Sequence, residues 1–227
     1  MTVRLYAGFD PREAVGYHAF SQSLIETSPG VGITPIAGDT DGTNAFTLAR
    51  FRLFEDNTWS LFVDGCDMIC RADIKELWYL RDNKKAVQVV PHDYHPKHSL
   101  KYVGTELESP NYAYPRKNQS SVMLINGAHI SNFKNRGAIR DALARNDGAF
   151  LHRFSWLDDS EIGVLPAEWN WLVGEQQYNP KAKLVHFTNG IPGFDYYAEW
   201  DYSDEWRAYA MKAQRGLQYD FQKVSER

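Results

Sequence analysis

Residues 59–70 read WSLFVDGCDMIC, a short apolar run that ends abruptly in the carboxylates of Asp64 and Asp67. An uninterrupted apolar run of this length is typical of a parallel strand that is buried on both faces. Asp73 and Glu76 follow with the spacing of a capping box, which predicts that a helix begins there. The segment therefore predicts a buried strand, an acidic turn and a helix in direct succession.

The same strand-to-helix order extends outward from this segment. Upstream, residues 3–9 alternate as a strand, and Asp10 and Pro11 suit the start of the helix that follows. Downstream, the apolar runs that predict buried strands are residues 86–90, 120–126 and 183–188. Alternation of strands and helices predicts an α/β fold with a mainly parallel central sheet flanked by helices. We expect one domain over residues 1–227, with a C-terminal amphipathic helix at about 203–223.

The composition of the 227 residues is that of a soluble globular chain, with 43% hydrophobic and 24% charged residues. The net charge of -4 supplies no basic surface for a nucleic-acid backbone, so a DNA- or RNA-binding role is disfavoured. No apolar run approaches the roughly 20 residues of a membrane-spanning helix. Residues 1–9 alternate as a strand and lack the pattern of a signal peptide. We therefore expect a cytoplasmic protein without a transmembrane segment.

Asp64 and Asp67 are candidates for a metal site. Ligands of open α/β sheets bind at the carboxyl ends of strands, and paired carboxylates there are typical ligands of Mg²⁺ or Mn²⁺. His186 ends a late strand and adds an imidazole ligand if the fold brings it to the acidic pair. Arg50 lies among apolar neighbours, and we expect it to pair with a carboxylate or phosphate because a lone buried charge is costly. The spacing is equally compatible with a structural role, in which Asp64 caps a turn and Asp67 is solvated.

Two other segments combine polar and aromatic side chains. In the loop at residues 92–101, Lys97 and Lys101 suit contact with a phosphate, and a solvated loop explains them equally well. Farther along, tryptophans at 156, 169 and 171 lie near Asp158 and Asp159. Flat aromatic faces with nearby carboxylates fit a sugar, and the default alternative is a core rich in tryptophan.

Other catalytic templates lack their sequence marks. The chain contains no G-x-G-x-x-G, P-loop or G-x-S-x-G motif, which disfavours dinucleotide redox chemistry, P-loop hydrolysis and serine hydrolysis. Cys66 and Cys70 are the two cysteines, so a disulfide framework and a four-thiolate zinc site are excluded. Cys66 is a poor candidate nucleophile because the adjacent carboxylates raise the pKa of its thiol.

A series of motifs along the chain resembles a known family. The motifs are VRLYAGFDPREAVGYHAF (3–20), LARF (48–51), LFVDGCDMICRADIKELW (61–78), SSVMLIN (120–126), LPAEWNWLVG (165–174) and LVHFTNG (184–190). In this order they resemble nucleotide-sugar glycosyltransferases of the GT-A fold, with the glycogenin-like and lipopolysaccharide galactosyltransferase-like branch nearest. The resemblance covers about residues 3–195 and implies the GT-A fold, a divalent metal and a UDP-sugar donor.

The resemblance also implies roles for individual residues. Asp64 and Asp67 match the two carboxylates of the D-x-D metal motif, and His186 matches the third protein ligand. Arg50 matches the arginine of an S-R-F element beside the nucleotide. Asp158 and Asp159 match acidic residues that meet the hydroxyls of the donor sugar. The other implied donor-binding positions are Ala7, Gly8, Phe9, Asp10 and Tyr17 for the base and ribose, Ser120, Ser121, Trp169 and Asn170 near the sugar, and Gly190 after the histidine.

The chain departs from the family pattern at two places. Its acidic motif is D-G-C-D, one residue longer than D-x-D, and we expect Gly65 to let the turn bulge. Family members commonly carry a glycine and then a lysine for the diphosphate after the histidine, whereas this chain has Gly190 and no such lysine. We expect Lys97 or Lys101 to neutralise the phosphates instead.

The sequence therefore predicts a metal-dependent glycosyltransferase that moves a sugar from a nucleotide-diphosphate sugar, with UDP as the expected nucleotide, to an acceptor hydroxyl. The resemblance implies retention of anomeric configuration and Mn²⁺ or Mg²⁺ as the cofactor. The alternatives are a sugar nucleotidyltransferase, for which GFDPRE is a poor phosphate loop, and a non-catalytic nucleotide- or carbohydrate-binding module.

Overall fold

The computed structural model describes residues 2–38 and 46–220, with side chains up to residue 215. The strands are β1 (Leu5–Gly8), β2 (Ile33–Ile36), β3 (Trp59–Val63), β4 (Met68–Cys70), β5 (Val87–Val89), β6 (Leu100–Lys101), β7 (Ser109–Pro110), β8 (Val122–Asn126), β9 (Ile162–Val164), β10 (Trp171–Leu172) and β11 (Leu184–His186). The α-helices are α1 (Ala14–Thr27), α2 (Ile74–Trp78), α3 (Ile130–Lys134), α4 (Arg136–Ala144), α5 (Gly148–His152) and α6 (Ser203–Asp220).

The central sheet has the strand order β2-β1-β3-β8-β5-β9. β1 lies parallel to β2 and β3, and β5 lies parallel to β9, whereas β8 is antiparallel to both of its neighbours. The predicted mainly parallel sheet is therefore confirmed, with one reversed strand. That reversal pairs Val122, the first residue of β8, with Val63, the last residue of β3. As a result, Ser120 and Ser121 lie beside Asp64, whose backbone amide donates to the carbonyl of Ser121 at 2.9 Å.

Both faces of the central sheet are covered by helical segments. On one face, Leu61 and Val63 pack with Phe20 of α1. On the other face, Phe62 packs against the aromatic residues of a 3-10 helix, Ala49–Glu55. Because successive side chains of a strand point to opposite faces, a strand covered on both sides must be apolar at every position. This explains the uninterrupted apolar run that the sequence shows before Asp64.

A second, smaller sheet has the order β10-β11-β4. β11 runs antiparallel to β4, and His186 pairs with Met68 in this ladder. The amide of Phe187 then donates to the carbonyl of Asp67 at 2.8 Å. This sheet joins the acidic turn to the histidine, which the sequence separates widely.

The C-terminal helix packs on the body of the chain. Trp206 of α6 is 3% exposed and lies in one cluster with Ala19 and Ile69. Lys212 forms an ion pair with Glu26 of α1 at 2.7 Å. α6 runs from residue 203 to residue 220, and residues 221–223 of the predicted helix lie outside the described residues. The extent of the domain over 1–227 remains a prediction.

The long segment from residue 92 to residue 119 packs against the chain that follows β11. The amide of Tyr102 donates to the carbonyl of Asn189 at 2.6 Å, and the side-chain amide of Asn111 donates to Asn189 Oδ1 at 3.0 Å. Asn111 and Asn189 are both buried. The segment therefore forms one wall of the region around His186.

None of the helices within the described residues has the length and apolarity that a bilayer crossing requires.

Candidate active site

Asp64, Asp67 and His186 form a compact cluster where β3 ends. Asp64 follows the last residue of β3, Asp67 closes the 3-10 turn Gly65–Asp67, and His186 is the last residue of β11. One potential ligand atom from each side chain lies within 4.8 Å of the other two, and all three residues are buried. The structure therefore brings together the three residues that the sequence proposes as metal ligands.

The cluster has the properties of a cation site. Among the described residues, Asp67 Oδ1 is a buried carboxylate oxygen without a hydrogen-bond partner. Burial raises the pKa of Asp64 to about 7; attraction from Arg50 opposes this shift and repulsion from Asp67 adds to it. Buried carboxylates that repel each other are stabilised by a divalent cation, and two carboxylates with one imidazole suit Mn²⁺ or Mg²⁺. The residues present therefore fit the metal that the fold implies.

Asn170 determines the orientation of His186. The Asn170 side-chain nitrogen donates to the carbonyl of Asn118 at 3.1 Å and to Ser121 Oγ at 2.9 Å. Its oxygen therefore faces His186 Nδ1, at 2.9 Å, and that ring nitrogen must carry the proton. The other ring nitrogen, Nε2, lies 3.1 Å from Asp67 Oδ2 and presents a lone pair when the ring is neutral. A neutral ring and a carboxylate then face each other as two acceptors, an arrangement that a bound cation satisfies.

The acidic turn fits between β1 and α1 because two positions lack side chains. A Cβ on Gly65 would lie 2.8 Å from the Cβ of Ala7, and a Cβ on Gly16 would lie 1.8 Å from the carbonyl oxygen of Cys66. The extra residue of D-G-C-D is thus accommodated by close packing against the end of β1. Cys66 is fully buried, and burial raises the pKa of its thiol, so its role is packing.

Arg50 is the predicted buried cation beside the acidic pair. Its guanidinium is 2.6 Å from Asp64 Oδ1 and donates to the carbonyl of Ser120 at 3.0 Å. The guanidinium carbon also lies 5.1 Å from the ring centre of Phe46 and 4.8 Å from that of Phe62. Two aromatic faces and a carboxylate thus offset the cost of burying this charge. The expectation that Arg50 pairs with an anion is confirmed.

A cavity of about 210 Å³ opens beside the cluster. The predicted site residues that line it are Arg50, Asp64, Asp67, Lys101, Ser120, Ser121 and His186. Lys101 reaches this wall from the long segment, and its ammonium donates to Thr188 Oγ1 at 3.3 Å. Burial lowers the pKa of Lys101, whereas the carboxylates of Asp67 and Asp64 raise it. Of the two lysines proposed for phosphate contact, Lys101 is the one beside the acidic cluster.

The remaining predicted residues do not line this cavity. Asp158 and Asp159 are exposed, and Asp159 pairs with Arg116. Lys97 is exposed and contacts Glu175 through its backbone amide at 2.9 Å. Trp169 is 1% exposed and packs in the core beside Asn170. Their roles in donor binding remain predictions.

The residues predicted for the base and ribose lie at the end of β1. Asp10 is buried and accepts from the backbone amide of Arg12 at 2.9 Å, which confirms its role as a helix cap. Ala7 and Gly8 are buried, whereas Phe9 and Tyr17 are half-buried, with ring centres 5.1 Å apart. Gly190, at φ 152°, packs against the ring of Tyr197. Contact of these residues with a nucleotide remains a prediction.

The sequence analysis assigned no individual role to three residues of the site. His152 Nδ1 forms a hydrogen bond with Ser120 Oγ at 2.7 Å. Burial, and then the charge of Arg50, lower the pKa of His152 to about 3. His92 Nε2 lies 3.1 Å from the Asn170 nitrogen, and burial lowers the pKa of His92 to about 4. Asn118 has a left-handed φ of 58°, which asparagine tolerates better than most residues. The one signal for Asn118 in the sequence was its place directly before the polar residues that lead into β8.

Comparison with solved structures defines the fold class. The chain matches the glycosyltransferase GlyE of Streptococcus pneumoniae TIGR4 with a TM-score of 0.66, over 98% of this chain and 65% of that chain, at 12% identity. It matches the galactosyltransferase LgtC with a TM-score of 0.57, over 92% and 96% of the two chains, at 13% identity. It matches the bifunctional glycosyltransferase WbbM with a TM-score of 0.61, over 94% of this chain and 51% of that chain, at 14% identity. This chain spans only about half of WbbM and just under two thirds of GlyE. These matches show that it has the GT-A fold predicted from its sequence.

A relative in sequence defines the family. Protein CDI of Arabidopsis thaliana is 38% identical over 226 residues, which cover 89% of this chain and 84% of the relative. The chain belongs to the same family as protein CDI. No family model matches the sequence.

Proposed function

We propose that this protein is a metal-dependent glycosyltransferase that transfers a sugar from a nucleotide-diphosphate sugar, with UDP as the nucleotide, to an acceptor hydroxyl with retention of configuration. The observation that carries the proposal is the buried cluster of Asp64, Asp67 and His186 at the end of β3 in a GT-A fold. A pocket at this end of an α/β sheet is the expected place for a nucleotide ligand.

Asp64, Asp67 and His186 would hold Mn²⁺ or Mg²⁺. When bound, such an ion supplies Lewis-acid stabilisation of the negative charge that builds on the leaving nucleoside diphosphate. The protein's own contribution is to keep the ligands in place. Asn170 orients His186 through Nδ1, and Arg50 holds Asp64 through an ion pair.

Cationic side chains would hold the diphosphate beside the acidic cluster. Lys101 lines the same cavity as Asp64 and Asp67, and it takes the role of the lysine missing after Gly190. Arg50 adds a second positive charge at the cavity wall. An ammonium and a guanidinium in a partly buried site bind phosphate more strongly than they would in water. In this proposal the exposed Lys97 makes at most a peripheral contribution.

The nucleoside and the sugar would occupy the two sides of this phosphate region. The end of β1, Ala7 to Asp10, with Tyr17, would receive the base and ribose. Ser120 and Ser121 line the cavity next to Asn170, and in this proposal their hydroxyls would meet the donor sugar. Asp158 or Asp159 would approach the sugar from the segment before β9, which requires Asp159 to leave Arg116. Transfer itself depends on holding the acceptor hydroxyl near the anomeric carbon and limiting access of water.

The direct test is metal-dependent release of UDP from UDP-glucose and UDP-galactose. We expect slow release by the wild-type protein with Mn²⁺, none after chelation, and faster turnover when an acceptor is supplied. Asp67→Asn should abolish release while the protein remains folded. Asp141→Asn removes an exposed carboxylate of α4 and serves as the matched control with unchanged release.

The same assay separates the alternatives. A nucleotidyltransferase would form pyrophosphate from a nucleoside triphosphate and a sugar phosphate, and a binding module would show a ligand-induced rise in melting temperature without any release. Wild-type protein that neither releases UDP nor is stabilised by any nucleotide sugar with Mn²⁺ would contradict the proposed function.

A further inference from the structure

Lys117 is a buried cation next to the cavity that the sequence analysis did not single out. It is 6% exposed, and its ammonium lies 4.7 Å from the ring centre of Tyr114. Tyr114 and Asn118, the residue that follows Lys117, both line the cavity, together with Asp64, Asp67 and Lys101. The side chain of Lys117 therefore contacts Tyr114, a residue of the cavity wall.

Among the side chains that the structure describes, in residues 2–38 and 46–215, the ammonium of Lys117 has neither a carboxylate within 4.0 Å nor a hydrogen-bond acceptor. Lys101, the cation whose charge acts on Lys117, donates to Thr188 Oγ1. Burial, and then the charge of Lys101, lower the pKa of Lys117 to about 8, and the charge of Glu175 partly opposes this. The positive charges of Lys117 and Lys101 repel each other, and the ring of Tyr114 and the charge of Glu175 offset this repulsion only in part. Such an arrangement is stabilised when an anion enters.

Lys117 is well placed to meet an anion without being bound to one of the protein's own carboxylates. Arg50 is already paired with Asp64, whereas neither Lys101 nor Lys117 is paired with a carboxylate of the described side chains. The segment that carries Lys117 is held against the site, because the Asn118 side chain donates to Thr188 Oγ1 at 3.1 Å and Lys117 N donates to the Tyr114 carbonyl at 3.2 Å. These contacts hold the backbone at Lys117 in place beside the site.

We propose that Lys117 and Lys101 form a two-lysine anion site that binds the diphosphate of a nucleoside diphosphate, with Lys117 as an affinity-determining residue. This proposal rests on the proposed function, because it assigns the diphosphate of the donor to this cavity. The leaving nucleoside diphosphate carries more negative charge than the nucleotide sugar, so a second ammonium favours the product side of bond cleavage. Lys117 acts by electrostatic attraction and takes no part in proton transfer.

The test compares Lys117→Met, which keeps the length of the side chain and removes its charge, with the wild-type protein. Titration calorimetry with Mn²⁺ present measures affinity for UDP, inorganic pyrophosphate, UMP and uridine. We expect Lys117→Met to weaken the binding of UDP and of pyrophosphate by about tenfold or more, since the loss of a charged hydrogen bond costs about 1.5–3 kcal/mol of binding free energy. Uridine affinity should not change. Lys134→Met, at an exposed lysine of α3, is the matched control and should leave every affinity unchanged.

A stability measurement separates anion binding from a structural role. Removing an unpaired buried charge should leave the melting temperature of the ligand-free protein unchanged or raise it, and Mn²⁺ affinity should be retained. A lower melting temperature together with loss of Mn²⁺ binding, in both Lys117→Met and Lys117→Gln, would assign Lys117 to the fold and overturn the proposal.

The outcomes also separate this proposal from the proposed function. If the wild-type protein binds UDP and the two Lys117 variants bind it equally well, the two-lysine site is wrong and the glycosyltransferase proposal stands. If the wild-type protein binds neither UDP nor pyrophosphate in the presence of Mn²⁺, both proposals fail.

Discussion

His186 Nε2 lies 3.1 Å from Asp67 Oδ2, and the opposite ring nitrogen of His186 lies 2.9 Å from Asn170 Oδ1. The first contact joins residues 119 positions apart in the chain, and antiparallel pairing of β11 with β4 produces it. Because Nδ1 donates its proton in a hydrogen bond to Asn170 Oδ1, Nε2 is the ring nitrogen that can bind a cation beside Asp67. The geometry of the proposed metal site therefore depends on a residue that is not itself a ligand.

Asn170→Ala should weaken Mn²⁺ binding by roughly 10–100-fold, because loss of a group that orients a ligand typically has an effect of this size. The change also removes buried hydrogen bonds, and we expect a loss of about 1–3 kcal/mol in the free energy of unfolding. Metal affinity by titration calorimetry and unfolding by urea measure the two effects.

Asn132→Ala provides the control for that prediction. Asn132 is fully buried and donates to the carbonyls of Ala86 and Asn126 at 2.8 Å, within the described part of the chain but outside the cavity lining. It should destabilise the protein to a similar degree and leave Mn²⁺ affinity intact. Equal losses of metal affinity in the two variants would contradict the orienting role of Asn170.

Arg50→Met should destabilise the metal-free protein by about 3–5 kcal/mol, because it leaves the buried carboxylate of Asp64 without its partner. Mn²⁺ should restore part of this loss, since a bound cation replaces the missing positive charge. The increase in melting temperature on adding Mn²⁺ is therefore expected to be larger in the variant than in the wild-type protein.

Arg140→Met is the comparison for Arg50. Arg140 pairs with Glu55 at 2.7 Å, but its side chain is 62% exposed, and such surface pairs contribute about 0–1 kcal/mol. A cost for Arg50→Met no larger than that for Arg140→Met would show that the Arg50 ion pair does not stabilise the site.

Gly65→Ala should displace the acidic turn, because the new methyl group would lie 2.8 Å from the Cβ of Ala7. We expect a loss of about 1–3 kcal/mol in stability, together with weaker Mn²⁺ binding as Asp64 and Asp67 shift. Gly137→Ala, where no atom lies within 4 Å of the new Cβ, should instead stabilise α4 by about 0.5–1 kcal/mol. Unchanged metal affinity in Gly65→Ala would mean that the turn tolerates a side chain.

The free energy of unfolding should decrease as the pH falls below about 6.5, in part because of His152. Its pKa is lowered to about 3 in the folded protein, from 6.5 in an unfolded chain, so the unfolded state binds the proton first. The contribution of His152 to the free energy of unfolding is fully present above pH 6.5 and is lost as the pH falls toward 3. For one group this loss is no more than about 1.4 kcal/mol per pH unit.

Comparison of slopes tests the assignment to His152. His152→Gln should show a shallower loss of stability between pH 7 and pH 4 than the wild-type protein, as measured by urea unfolding at each pH. His95→Gln, at an exposed histidine, should keep the wild-type slope. Identical slopes in all three proteins would rule out His152 as the source.

Local patterns in the sequence determined much of the fold and the acidic half of the site. The apolar run before Asp64 predicts a strand covered on both faces, and Asp10 and Asp73 predict the helix starts where their side chains accept from Arg12 and Lys75. These features depend on residues a few positions apart, whose hydrogen bonds and periodicity act within one element. The order of the motifs then predicted the GT-A fold.

Only the tertiary structure decided which distant residues meet at the site. Antiparallel pairing of β11 with β4 brings His186 to Asp67, and buried hydrogen bonds bring Asn170 to His186. The fold also buries Lys117, which the sequence analysis did not single out, and leaves exposed Asp158, which it proposed as a sugar-binding residue. Burial and charge pairing depend on long-range packing, and no local pattern encodes which side chains lose their contact with water.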